Sequence, residues 1–135
     1  MSEAEIVEQL FSMFDRYWVI VQWWASVSIG LIMVAYFASD KIGPFLLVTV
    51  IGLYGIYSLW VFFLLGYNIA IGVGMLEDLN SLSSAGLLKS QGARIVLEHP
   101  FARYGISVGM IALPATFFSC VGYLVYAYFH DRKST

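Results

Sequence analysis

The stretch IGPFLLVTVIGLYGIYSLWVFFLLGYNIAIGVGML, residues Ile42 to Leu76, contains no Asp, Glu, Lys, Arg or His. It is about 35 residues long, whereas a bilayer core of ~30 Å is crossed by about 20 helical residues. A soluble domain of this size has no means of burying so long an uncharged run. The run therefore predicts a membrane helix, and one with length to spare. Composition agrees. The chain of 135 residues is 60% hydrophobic and only 12% charged, about half the charged fraction of an ordinary soluble domain.

Working outward, two further apolar segments flank the run. Upstream, a span is expected from Tyr17 to Ala38, with Tyr17 and Trp18 at the level where aromatic rings meet headgroups. Asp40, Lys41, Gly43 and Pro44 form a tight turn, so the next span runs back antiparallel. That second span begins at Pro44, a residue suited to the first turn of a helix, and reaches bilayer length near Asn68. Residues 69–76 exceed what a membrane needs. Tilt, projection from the membrane, or a bend at Gly66, Gly72 and Gly74 would each accommodate them, and projection or tilt is preferred. Downstream, a third span is expected from Tyr104 to Phe129, with Pro114 inside it and a polar tail over 130–135.

The remaining segments are short. Residues 2–16 read as an amphipathic helix capped by Ser2. Ile6, Leu10, Met13 and Phe14 share one face, and its acidic opposite face favours contact with the rest of the protein over anionic lipid. The opening Met-Ser-Glu-Ala-Glu is acidic where a cleavable signal is basic, so the first span is expected to be retained. Residues 77–103 form a polar, helical central loop. A break is expected around Ser83–Gly86, another is open at Gly92, and Pro100 limits any helix through 93–99. The fold class expected is thus an all-α integral membrane protein of one domain, with three transmembrane helices, an amphipathic N-terminal helix and a helical central loop.

Several chemistries find no residues to carry them. The net charge of −2 and the lack of a basic stripe give no case for nucleic acid. A single cysteine, Cys120, rules out an internal disulfide and reads as a small buried hydrophobe. His99 and His130 flank the last span on opposite sides, so one chain cannot clamp a haem between them. No phosphate loop, nucleophile elbow or dinucleotide fingerprint occurs, and no catalytic, cofactor or metal site is expected. Glu77, Asp78, Glu98 and His99 are the only acid-rich set that folding of the loop would gather, and their spacing matches no metal motif. The spans hold no acidic or basic group of the kind that marks proton or ion pathways.

What the sequence does offer is small residues at helical spacing. Gly66, Ala70 and Gly74 recur every four positions. Gly105 and Gly109 form a GxxxG, and Ser26 and Gly30 a small-xxx-small pair. Such rows let helix backbones approach closely, either within the chain or between subunits. Gln22 and Asn68 are amides that seek partners across helices or line a polar path. Glu77, Asp78, Lys89, Arg94, Glu98 and Arg103 in the loop are placed to meet a partner. The function expected is assembly, as a homo-oligomeric scaffold or a non-catalytic subunit of a membrane complex, with the bilayer and itself or another membrane protein as partners. Rival readings are a homo-oligomeric channel or permeabilising effector, an immunity-type protein that neutralises a pore-forming toxin, and a membrane-embedded enzyme using the loop acids. Compactness and short loops suggest a bacterial inner membrane. Four basic residues on the N-terminal side against three on the other favour a cytoplasmic N-terminus.

Overall fold

The computed structural model describes residues 2–133, and their side chains other than those of residues 100–103 and 106. Four α-helices and a short 3-10 turn account for nearly all of them: α1 (Glu3–Ala38), the turn (Ser39–Lys41), α2 (Pro44–Ser84), α3 (Gln91–Glu98) and α4 (Pro100–Lys133). Three of the helices are long and apolar enough to cross a membrane. Only 17%, 22% and 11% of the most apolar windows of α1, α2 and α4 are buried, so the greater part of this apolar surface faces outward.

The boundary drawn at residue 16 in the sequence has no counterpart in the backbone. No Gly or Pro occurs between Ser2 and Ile29, so nothing interrupts the helix, and α1 runs unbroken for 36 residues. Its start is a reciprocal cap. The Glu5 N–H donates to Ser2 Oγ at 3.3 Å, and the Ser2 N–H donates to Glu5 Oε2 at 2.8 Å. That backbone donation holds the Glu5 carboxyl below its ordinary pKa.

Helix α2 is longer than the sequence requires. It continues through Gly66, Gly72 and Gly74 to Ser84, 41 residues in all, or about 60 Å at ~1.5 Å per residue. It ends where Gly86 adopts φ +71°. The Leu87 N–H then donates to the Leu82 carbonyl and the Gly86 N–H to the Ser83 carbonyl, both at 3.0 Å, which is the Schellman arrangement that a glycine at this position permits. The break expected at Ser83–Gly86 is therefore present. Gly92 breaks nothing and lies inside α3. Ser90 caps α3 by accepting from the Ala93 N–H, and His99 turns extended at ψ 131° before Pro100, as the residue before proline must.

The chain divides into two compact units. Unit 1 comprises residues 1–20 and 63–110, and unit 2 comprises 21–62 and 111–135. Unit 1 is built on an aliphatic cluster of Ile6, Leu10 and Met13 from α1, Leu79 from α2, Leu88, and Ala93 from α3. The apolar face of the first helical turns thus packs within the chain. Phe14, placed on that face by its spacing, stands 39% exposed. In unit 2, Ala35, Ile42, Leu47, Leu124, Ala127 and Tyr128 form a second cluster. There α1 and α2 run antiparallel, since Trp24 pairs with Ser58 and Ser28 with Tyr54.

Candidate functional site

Two constellations in unit 1 and one in unit 2 carry most of the specific geometry. The first is a clasp. Both carboxylate oxygens of Glu3 accept backbone N–H groups from the segment preceding α3, Lys89 N at 2.9 Å and Ser90 N at 2.8 Å. One acidic side chain thereby ties the start of α1 to the loop that positions α3. The partners are 86 and 87 residues apart, and no local pattern announces them.

The second is a cavity of about 500 Å³. Leu10, Phe14 and Trp18 line it from α1, and Ile69 and Leu76 from α2. Gly72 and Gly105 also line it, and among the described residues Asp15 is the one charged group in the lining. Gly72 has a definite steric role. A Cβ there would overlap the Met13 thioether, so this glycine lets α1 lie close against α2. By spacing, Gly66 and Gly74 belong to the packing row, and Gly72 stands out only as a place for the helix to bend. Nothing in an all-round apolar helix tells which of three nearby glycines faces its neighbour.

The third constellation is polar and lies in unit 2. Trp24 Nε1 donates to Ser58 Oγ at 3.0 Å, and both side chains are almost fully buried. Ser28 Oγ donates to the Trp24 carbonyl at 2.9 Å and meets the Tyr54 hydroxyl at 2.7 Å. The Tyr54 ring stacks on Phe117 at 5.2 Å, and Trp24 and Phe117 both pack against Phe62. The depth of Trp24 beyond the aromatic anchor level thus has a cause, because its indole N–H has a partner there. At the far end of α1, Ser39 donates to Asp131. Among the described residues, no buried side-chain nitrogen or oxygen lacks a hydrogen-bond partner, so this network is closed.

The small residues separate into two groups. Gly66, Ala70 and Gly74 are exposed, and a Cβ on Gly66 or Gly74 would meet nothing within 4 Å. Ser26 and Gly30 are exposed too. Ser26 Oγ bonds back to the Gln22 carbonyl at 2.8 Å, and nothing lies within 4 Å of a Cβ on Gly30. Gly109 behaves otherwise, since a Cβ there would sit 3.1 Å from the Tyr17 hydroxyl, so this glycine of the GxxxG packs against α1 inside unit 1, while Gly105 lines the cavity. Gln22 is exposed, while Asn68 is only 9% exposed.

The loop residues Glu77, Asp78, Lys89, Arg94 and Glu98 all lie at the surface, and the Arg103 side chain falls outside the described ones. No three His, Cys, Asp or Glu side chains among the described residues converge as metal ligands. Neither a family model, nor a curated protein, nor a solved structure matches this chain.

Proposed function

We propose that the chain is a small integral membrane protein with three spans that works by assembling with further copies of itself. The spans are the apolar parts of α1, α2 and α4; compactness and short loops favour a bacterial inner membrane, and the distribution of basic residues favours a cytoplasmic N-terminus. One observation carries the assembly reading. Gly66, Ala70 and Gly74 form a smooth, exposed row on α2, and among the described residues nothing lies within 4 Å of a Cβ on Gly66 or Gly74. An intramolecular role explains Gly72 and Gly109; it leaves this row without a use. In lipid, where apolar surface gives helices no reason to associate, close backbone approach at such rows is a main source of attraction.

Native mass spectrometry of the protein released gently from its own membrane tests the reading. A homo-oligomer of fixed number is expected, and Ala70→Phe should reduce it to monomer while leaving the helical circular dichroism unchanged. A wild-type monomer under the mildest release, or an oligomer indifferent to Ala70→Phe, would contradict it.

A further inference from the structure

We infer that the cavity of unit 1 is a binding site for one acyl chain of a phospholipid whose headgroup carries an amine. This rests on the membrane reading above and adds to it a ligand and a place.

Leu10, Phe14, Trp18, Ile69 and Leu76 offer hydrocarbon, and the open cavity of about 500 Å³ that they line falls within the ~300–1,000 Å³ usual for ligand pockets. The lining is largely hydrocarbon, so water gains few partners on it and an apolar guest is favoured. The supply of apolar guests is decided by location. Phe11 and Trp18, which also line the cavity, are 58% and 61% exposed, so the opening is rimmed by large apolar groups. Tyr17 and Trp18 mark the level at which a bilayer presents the upper part of its acyl chains.

The cavity is separate from the assembly row. Ile69 lines it and Ala70 belongs to the row, and consecutive residues point ~100° apart around a helix. A second copy seated on Gly66, Ala70 and Gly74 therefore leaves the cavity unfilled.

Charge selects the headgroup. Among the described residues, Asp15 is the one charged group in the lining. Seven of the nine acidic residues but only four of the seven basic ones fall in unit 1, giving it a formal charge of −3. Such a surface repels a net-anionic headgroup. An ammonium is accommodated beside the Asp15 carboxylate.

The experiment uses the full chain in nanodiscs of phosphatidylethanolamine and phosphatidylglycerol with identical acyl tails. A trace of each lipid carries a photoactivatable group near the top of its chain. Crosslinks are expected to concentrate in peptides holding residues 10–18 and 69–76. Phosphatidylethanolamine should exceed phosphatidylglycerol by roughly threefold, the size of one exposed ionic contact. Asp15→Asn should keep the crosslinks and lose the preference. Ile69→Trp, which fills the cavity, should remove the crosslinks, and the wild-type map stands independently if that variant does not fold. Crosslinks spread evenly over outward residues such as Phe37 and Phe45 would overturn the site while leaving the membrane reading intact. Protein–protein crosslinks at residues 10–18 in place of lipid would assign the cavity to a second copy and overturn it likewise. An absence of lipid crosslinks anywhere would overturn both readings.

Discussion

Unit 1 is closed by aliphatic side chains, and unit 2 adds to its apolar cluster ties through an indole, four hydroxyls and a carboxylate. In unit 1, Ile6, Leu10, Leu79 and Ala93 are almost wholly buried and make no side-chain hydrogen bond. In unit 2, Trp24 donates to Ser58, Ser28 meets Tyr54, and Ser39 donates to Asp131. The contrast follows from solvent. Aliphatic burial drives packing only where the alternative is water, at roughly 25 cal/mol per Å². Against lipid tails that term vanishes, and helices are instead held by shape and interhelical hydrogen bonds. On the membrane reading, the Ile6, Leu79, Leu88 and Ala93 cluster of unit 1 is cemented in the manner of a water-soluble core, and the Trp24–Ser58 and Ser28–Tyr54 pairs of unit 2 in the manner of a membrane bundle. The 41 residues of α2 are long enough to serve in both.

Substitutions of decreasing effect sharpen this comparison. The largest effect is expected from Leu79→Ala, at 0% exposure in the unit 1 cluster. Truncating a buried leucine costs about 2–5 kcal/mol, which should appear as faster amide exchange over residues 3–13 and 75–97. Unchanged exchange there would remove the case for an aliphatic core. Next is Glu3→Ala. It takes a charged acceptor from the Lys89 and Ser90 N–H groups, an interaction of order 1.5 kcal/mol reduced by its exposure. Exchange at those two amides should quicken while the Leu79 region holds.

Smaller again is Ser58→Ala, which removes the acceptor from Trp24. Interhelical hydrogen bonds in membranes average about 0.6 kcal/mol, so reversible unfolding in bicelles should register a loss of that size, with a blue-shifted Trp24 fluorescence. A loss of several kcal/mol would mean that unit 2 does not follow membrane energetics. The smallest contrast is between glycines. Gly109→Ala must push back the Tyr17 hydroxyl, 3.1 Å from the new Cβ, whereas Gly66→Ala meets nothing in its own chain. Monomer stability should fall for the first and stay level for the second.

Charge, proline and glycine made some of this legible beforehand. The uncharged run from Ile42 to Leu76 shows a helix longer than a bilayer. Gly86 with its serines marks the end of α2, and Pro100 marks the end of α3. Other features leave no trace in one sequence. The Glu3 clasp joins a carboxylate to backbone groups 86 and 87 residues away, and any loop offers such groups. Gly72 could not be told from Gly66 or Gly74, because α2 is apolar on every side and its periodicity does not distinguish an inner face from an outer one. Trp24 lies well beyond the anchor residues Tyr17 and Trp18, yet nothing in the sequence marks Ser58 as its partner. The amphipathic pattern of residues 2–16 identified the buried face of α1 through Ile6, Leu10 and Met13, but it also placed Phe14 there, and Phe14 instead stands beside the cavity.

The most direct test of assembly through the outward row of α2 is cysteine crosslinking in intact membranes. The lone Cys120 is buried and can be replaced by serine to give a clean background. In that background Ala70→Cys is expected to form a disulfide-linked dimer on mild oxidation, and Trp18→Cys, exposed on α1, is not. Equal crosslinking at both positions, or none at Ala70→Cys under conditions that leave the protein in its membrane, would contradict the account.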